Sequence, residues 1–324
     1  MTGTVDSHVH LWDARHTPQP WMTQEHAAIA RPFGPGDLKP LLEQQGIDAA
    51  VVVQGACLDS DTDYLFAEAD RHDWIAAVTA WLCLDRPERA RERLDELAAR
   101  GKFRAVRHLV HDEPDAHWLT RGEVTESLGL LEARDVILEV PVVFPRHFDD
   151  VAAVAKRFPA LRIVIDHLGK PPTGTSAMPR WAAMLRDVAS HENVMAKISG
   201  LNTTVPYPDW SAADWSRPLE VALESFGPDR LMCGSDWPVA LLNGDYARVW
   251  DATRTAVQML APGHAGALLG SNACRIYHMR VPGCRPVRHE KPQNGLSSLS
   301  CAAVPRIGGF LSHKNPKIAF RLRI

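Results

Sequence analysis

Short apolar runs and longer amphipathic stretches alternate along most of this 324-residue chain. Runs rich in β-branched residues, typical of buried strands, occur at 4–11, 49–54, 75–82, 103–110, 136–143, 161–168, 194–201 and 230–237. Stretches with helical spacing of apolar residues lie between several of them, at 87–101, 121–135, 148–159, 178–192 and 245–260. Eight β-α repeats predict an α/β fold, a closed (β/α)8 barrel of the TIM type, with an open doubly wound sheet as the alternative.

The loop after the first predicted strand is unusually long. Its stretch 12–37 contains four prolines and two tryptophans, Trp12 and Trp21. Long loops that follow barrel strands are well placed to cover an active site. We therefore predict a lid over the site here, with a plain surface excursion as the alternative.

Composition gives no sign of a nucleic-acid or membrane partner. Hydrophobic residues make up 45 % of the chain, charged residues 23 %, and the net charge is −3. No run approaches the roughly 18 apolar residues of a membrane span, and no basic segment followed by an apolar run begins the sequence. The six cysteines form no C-x-x-C motif. We expect a cytoplasmic protein and leave open whether it forms a homo-oligomer.

The last part of the chain differs in charge and pattern. Residues 280–324 carry nine lysines and arginines against one acid, Glu290, and are rich in turn-forming residues. We predict a folded domain over 1–279 and a basic, poorly ordered extension over 280–324. A solvated tail is favoured over a nucleic-acid-binding arm.

Polar side chains collect where the predicted strands end. These residues are His8 and His10 on strand one, Arg107 and His108 on strand four, Asp166 and His167 on strand six, Lys197 on strand seven and Asp236 on strand eight. Each alone is more often structural: a hydrogen-bonded histidine, or Lys197 paired with Asp166 or Glu139. In barrel enzymes, however, the chemistry lies at the carboxyl ends of the strands. The occurrence of all these polar residues at such ends favours one shared site.

The motifs at these ends resemble a known family. "DSHVHLWD", "IDHLGKP", "KISGL", "GSDWP" and "NACRIY" are similar, in this order, to the amidohydrolase superfamily, in its sugar-lactone hydrolase branch of L-fuconolactonase and L-rhamnonolactonase relatives. The resemblance covers about residues 4–278 and implies a distorted (β/α)8 barrel. It also implies a reaction centre formed by four residues: His8, His10, His167 and Asp236.

The resemblance implies a metal site in some members and none in others. In metal-using members the strand-one histidines and the strand-eight aspartate are ligands, which here are His8, His10 and Asp236, with His167 as a further ligand or carbonyl polariser. Strand four offers no bridging lysine and strand five no histidine, so one divalent ion, Zn²⁺ in the first instance, is expected rather than two. Whether the ion is dispensable stays open.

The function implied is hydrolysis of the ester in a small sugar-acid lactone of the L-fucono- or L-rhamnono- type. Asp236 is the candidate general base. The candidate substrate-binding residues are Arg107, His108, Lys170, Lys197, Trp12 and Trp237. The alternative is a metal-dependent decarboxylase or a dicarboxylate lactonase of the same superfamily, whose anionic substrates need several arginines at the site. An inactive binding barrel is disfavoured because the four residues of the centre are all present.

Overall fold

A computed structural model describes residues 3–15 and 17–284, which form an eight-stranded parallel barrel wrapped by helices. The strands are β1 (Val5–Val9), β2 (Ala49–Val53), β3 (Ile75–Ala80), β4 (Phe103–Arg107), β5 (Ile137–Val140), β6 (Ile163–Ile165), β7 (Val194–Ile198) and β8 (Leu231–Cys233). The helices are α1 (Pro35–Gln44), α2 (Asp59–Arg71), α3 (Pro87–Ala98), α4 (Gly122–Ala133), α5 (Phe148–Arg157), α6 (Met178–Ala189), α7 (Ser216–Phe226), α8 (Tyr246–Leu260) and α9 (Asn272–Ile276).

The strands pair in chain order, and the barrel is nearly closed between β8 and β1. Closure rests on one parallel bridge, between Val9 and Trp237, and on two backbone hydrogen bonds. His10 N donates to Trp237 O at 2.7 Å, and Asp236 N donates to His8 O at 2.9 Å. The predicted (β/α)8 barrel is confirmed, as are the predicted helices that correspond to α3, α4, α5, α6 and α8.

Alternate strand residues fill the barrel below its carboxyl end. The inner cluster contains Val5, Ala49, Val51, Val53, Ala77, Ala105, Ile137, Val164, Met195 and Met232. Tyr277, just after α9, packs into the same cluster and is buried. Because strand side chains alternate between faces, the residues two positions further along several strands face the same interior, closer to the site.

A register shift in β1 aims the histidines at that interior. The pairing of β1 with β2 shifts between Asp6 and Val9. Val5 belongs to the inner cluster while Val9 packs in the outer core, although the two are four positions apart and unbroken alternation would place them on the same face. A bulge of this kind re-aims the side chains that follow it, and it places His8 inside the barrel.

All eight strands are shorter in the structure than the predicted runs, and at β6 and β8 the difference moves site residues off the strands. β6 ends at Ile165 and β8 at Cys233, so Asp166, His167 and Asp236 lie in the turns that follow rather than on strands. The chain leaves the sheet with left-handed backbone, φ being +54° at His167 and +65° at Asp236. Strain of this kind collects at functional sites, where surrounding contacts hold it in place.

No helix among the residues described is long and apolar enough to cross a membrane. Residues 285–324 of the predicted extension lie outside the described residues. The basic, poorly ordered extension over 280–324 therefore remains a prediction.

A buried carboxylate joins β1 to the last turn of the barrel. Asp6 Oδ1 accepts hydrogen bonds from Ser235 N at 2.9 Å and His8 N at 3.1 Å. Its Oδ2 accepts from Tyr246 Oη at 3.0 Å and Trp250 Nε1 at 3.4 Å, both on α8. Asp6 is fully buried, so each donor would be left without water if this carboxylate were removed.

We therefore expect Asp6→Ala to lower the free energy of unfolding by about 3 kcal/mol, since it strands several buried donors. Tyr246→Phe removes one donor to Asp6 and should lower the free energy of unfolding by about 1 kcal/mol. The control is Asp63→Ala, an exposed acid on α2 whose loss should cost under about 0.5 kcal/mol. Urea denaturation measures all three, and equal effects of Asp6→Ala and Asp63→Ala would contradict this role of Asp6.

Candidate active site

A cavity of about 250 Å³ opens at the carboxyl end of the strands. It is lined by His10, Trp21, His26, Gly55, Arg107, Leu109, His111, Pro141, Val142, Val143, His167, Lys170, Asp236 and Val239. Trp21 and His26 come from the long loop after β1, so that loop forms part of the cavity wall. The lining therefore combines apolar side chains with cations, imidazoles and a carboxylate.

The two strand-one histidines contact each other at the base of this cavity. His8 Nε2 and His10 Nε2 are 3.2 Å apart, and the rings meet edge to face. His10 Nδ1 donates to Val53 O at 2.9 Å, because a carbonyl oxygen only accepts. His8 is fully buried beneath His10, and burial lowers its pKa well below the usual range despite the nearby Asp166 carboxylate.

Asp236 faces both histidines from the turn after β8. Its Oδ1 lies 3.5 Å from His10 Nε2 and 3.7 Å from His8 Nε2. Its Oδ2 lies 3.9 Å from Lys170 Nζ and has no hydrogen-bond partner among the described residues. Burial alone would raise the pKa of Asp236, but the surrounding imidazoles and the Lys170 ammonium outweigh burial and hold it well below the usual range. The carboxylate is therefore ionised.

His167 approaches the same carboxylate from the turn after β6. His167 Nε2 lies 3.8 Å from Asp236 Oδ2, while Nδ1 contacts Ser199 Oγ at 2.8 Å. Burial lowers the pKa of His167 to about 3, even though the Asp236 charge acts in the opposite direction. His167 is therefore a neutral imidazole at neutral pH.

A network of buried ions lies beneath these groups. Asp166 Oδ2 accepts from Arg107 Nε at 2.7 Å, and Asp166 Oδ1 lies 3.6 Å from Lys197 Nζ. Lys197 donates to Glu139 Oε2 at 2.6 Å and is fully buried. Burial opposes the charge on Asp166, but its neighbours His8, Lys197 and Arg107 hold its pKa well below the usual range. Buried charges of this kind are stable only in such pairs.

The structure brings some predicted site residues to the cavity and not others. Arg107 and Lys170 line it together with His10, His167 and Asp236. Lys197 lies deeper, under His8, at 3.1 Å from its Nδ1.

The other three predicted substrate-binding residues lie outside the cavity lining. His108 is occupied at both nitrogens, by Trp81 Nε1 at 3.1 Å and Glu113 Oε1 at 2.7 Å. Trp12 and Trp237 are buried beside His10, one stacking on its ring and the other accepting its backbone N–H.

Sequence reasoning missed two histidines of the cavity wall. His111 follows β4 by four residues, and His26 lies in the long first loop. Both follow barrel strands and precede the next helix, which is the signal that could have found them. Burial lowers the pKa of His111 to about 4, so this ring is also neutral.

Among the described residues, two groups of side chains could hold a metal ion, and they share His8. One contains His8, His10 and Asp236, the other His8, Asp166 and His167, each with its ligand atoms within 4.8 Å of one another. Asp166 is already paired with Arg107 and faces Lys197, so a second cation there would be repelled. The first group fits a divalent ion better, since Asp236 Oδ2 has no hydrogen-bond partner in the described part of the chain and both imidazoles turn a nitrogen to the same point.

Comparison with known proteins gives the family. The amidohydrolase family model matches residues 5–279. The chain belongs to this family. It is 35 % identical to an L-fucono-1,5-lactonase of Burkholderia ambifaria over 288 residues, which is 87 % of this chain and 98 % of that protein. A second L-fucono-1,5-lactonase, of Burkholderia multivorans, is 35 % identical over 298 residues, or 86 % of this chain and 97 % of that protein.

A solved structure agrees with this assignment. The crystal structure of an amidohydrolase from Burkholderia multivorans with bound zinc superposes with a TM-score of 0.80 at 34 % identity, covering 86 % of this chain and all of that one. The family resemblance predicted from the motifs is thus confirmed.

Gly200, just after β7, leaves room for the site. Its φ is +59°, and a Cβ there would lie 2.6 Å from Asp236 Oδ2 and 3.0 Å from His167 Nδ1. We expect Gly200→Ala to reduce turnover about 100-fold, since a displacement of about 1 Å at a reacting group has effects of that size. The left-handed backbone should add about 1 kcal/mol of destabilisation.

Gly174→Ala is the matched control for this substitution. Gly174 also has positive φ, +77°, but a Cβ there meets nothing within 4 Å. It should therefore show the loss of stability without the loss of turnover. Thermal denaturation and steady-state kinetics of both variants separate the effects, and equal turnover would contradict the contact at Gly200.

Proposed function

We propose that this protein is a lactonase, a hydrolase that opens the carboxylic ester of a small sugar-acid lactone of the L-fucono- or L-rhamnono-lactone type. The observation that carries the proposal is one cavity in which an ionised carboxylate, Asp236, faces a neutral histidine, His167, and two cations. Similarity to curated L-fucono-1,5-lactonases along most of the chain supports the substrate class.

The cavity suits a neutral ring with hydroxyl groups. Trp21 and four aliphatic residues supply apolar contact area, while Arg107, Lys170 and His111 offer polar atoms. A dicarboxylate or an aromatic acid would call for several arginines. Arg107 is the single arginine of the cavity lining among the described residues, since Arg15 and Arg31 are largely exposed and paired elsewhere. This arrangement favours the sugar lactone over the decarboxylase or dicarboxylate alternative.

Asp236 is the general base in this proposal. Its carboxylate takes a proton from a water molecule as that water attacks the lactone carbonyl. A tetrahedral oxyanion forms, and its collapse breaks the bond between the carbonyl carbon and the ring oxygen. Protonated Asp236 then returns the proton to the departing alkoxide, which leaves the open hydroxy acid and the ionised carboxylate.

The developing oxyanion is stabilised by the cations of the cavity lining. Lys170 Nζ and the guanidinium of Arg107 both reach the cavity, and Asp166 holds Arg107 in place. His167 is assigned as a hydrogen-bond donor to the carbonyl through Nε2, with Ser199 donating to its Nδ1. His10 completes the floor of the site next to Asp236.

A divalent ion would be held by His8, His10 and Asp236, with His167 as the nearest further ligand. We propose Zn²⁺ as that ion, because two imidazoles and a carboxylate are a common zinc ligand set. When bound, the ion would supply Lewis acidity to the carbonyl and its attacking water.

The direct test is a screen of aldonolactones with a pH-indicator assay, with and without a chelator. Turnover of L-fucono- or L-rhamnono-type lactones is expected. Inactivity on every lactone, together with turnover of a carboxylated aromatic compound, would overturn the proposal. The chelator arm reports separately on the need for a metal.

Asp236→Asn should lower kcat about 1,000-fold, since the amide has the same shape but cannot take up the proton. Steady-state kinetics on the best lactone measure the effect, with circular dichroism to check the fold. Asp112→Asn, a half-exposed acid beside His111, is the control and should leave kcat within about twofold. Wild-type turnover by Asp236→Asn would remove Asp236 from the role of base.

The pH profile should lack a limb from His167. The pKa of His167 is lowered to about 3, so the ring is neutral above that pH, and the pKa of Asp236 is also lowered, so it stays ionised. Neither group changes charge between about pH 5 and 7, so neither should contribute a limb to kcat/KM there. An acid limb with a midpoint near 6.5, the ordinary histidine value, that disappears in His167→Gln would contradict the assignment of His167.

A further inference from the structure

A chain of hydrogen bonds runs through the two strand-one histidines. Lys197 Nζ lies 3.1 Å from His8 Nδ1, His8 Nε2 lies 3.2 Å from His10 Nε2, and His10 Nδ1 lies 2.9 Å from Val53 O. All four residues are buried. Neither Lys197 nor this connection has a part in the proposed hydrolysis.

The two ends of the chain determine its direction. An ammonium group only donates, so His8 Nδ1 accepts, and the hydrogen of the neutral His8 ring is on Nε2. A carbonyl oxygen only accepts, so the hydrogen of His10 is on Nδ1, and its Nε2 accepts from His8. Each of the three hydrogen bonds is therefore donated in the direction from Lys197 toward Val53.

Lys197 is held firmly in the position that begins this chain. It donates to Glu139 Oε2 at 2.6 Å, and Glu139 Oε1 in turn accepts from Thr79 Oγ1 at 2.5 Å and Tyr277 Oη at 2.6 Å. All of these groups lie inside the barrel, where an unpaired ammonium or carboxylate would be costly.

This direction is the wrong one for metal binding. An imidazole binds a metal through its unprotonated nitrogen, and for His8 that nitrogen faces Lys197 rather than His10 and Asp236. For an ion to bind, the ring must lose its Nε2 proton and gain one on Nδ1, which leaves its charge unchanged. Asp166 Oδ1 lies 3.3 Å from Nδ1 and has no hydrogen-bond partner among the described residues, so it is placed to accept from the new Nδ1–H.

We propose that Lys197 is a positioning residue that holds His8 in the Nε2–H tautomer and thereby opposes cation binding between His8, His10 and Asp236. Binding of an ion exchanges the Lys197–His8 hydrogen bond for one from His8 to Asp166. The inference concerns the ligand set alone and does not depend on which lactone the site accepts.

The test is the double variant Lys197→Met with Glu139→Gln. It removes one positive and one negative charge, so the net charge of the site does not change, and the introduced amide keeps an oxygen for Thr79 and Tyr277. We expect the Kd for Zn²⁺, measured by competition with a chromogenic chelator, to fall at least about tenfold, the order of one hydrogen bond to a charged group.

Nitrogen-15 NMR of labelled histidines reads the tautomer directly, with the His8 signals identified by their loss in His8→Gln. Metal-free wild type should show His8 as Nε2–H, and both Zn²⁺-loaded wild type and the metal-free double variant should show Nδ1–H. His8 as Nδ1–H in metal-free wild type would overturn the proposal, and this measurement stands even if the double variant does not fold.

Lys170→Met is the matched control. It removes a cation 3.9 Å from Asp236 Oδ2 that does not contact His8, so it should tighten Zn²⁺ binding through charge alone and leave the His8 tautomer as Nε2–H. An unchanged Zn²⁺ affinity in the folded double variant, or the same tautomer in it as in Lys170→Met, would show that Lys197 does not act through His8.

Discussion

The site depends on the pairing of charges inside the barrel. Arg107 and Lys197 both contact Asp166, and Glu139 on β5 neutralises Lys197 on β7, two strands away. Ions removed from water are stable only when such neighbours replace the lost hydration. Because each ion is held by strands on both sides, the groups above it have little freedom to move, and the neutral state of His8 follows from the same burial.

The interior is divided into levels along the barrel axis. Apolar residues such as Val51 and Met232 fill the lower part, and Tyr277 packs there after α9. The buried ions lie above them, and the cavity above the ions. The ions Arg107, Glu139 and Lys197 lie two positions after the apolar Ala105, Ile137 and Met195 of the inner cluster, so the two-residue period of a β-strand separates the packed level from the charged one.

The groups with proposed chemistry lie where the backbone leaves the strands. His167 and Asp236 both have positive φ, and Gly200 supplies the space between them. Such backbone is tolerated because its neighbours hold it: Asp6 organises the turn before Asp236, and Ser199 contacts His167. The stability of the seam between β1 and β8 and the geometry of the site are therefore linked through β1, which carries Asp6 as well as His8 and leads directly into His10.

The sequence by itself determined the architecture and which polar side chains would lie near one another. Eight apolar runs with helical stretches between them are sufficient to predict the barrel, because burial of a parallel strand leaves a local pattern. The H-x-H motif and the polar strand ends predicted that His8, His10, His167 and Asp236 meet at one end of the barrel, and they do lie close together, because parallel topology brings all strand ends to the same side.

Only the tertiary structure decided how deep each polar side chain lies in the barrel and which way it points. Lys170 and Lys197 look equivalent in sequence, yet one lines the cavity and the other lies beneath His8. His108 turns to Glu113, while His111 reaches the cavity. A periodic pattern specifies which face of a strand a side chain occupies. Its height along the barrel and the orientation of residues in turns depend on register shifts, left-handed backbone and partners distant in sequence, none of which leave a local pattern.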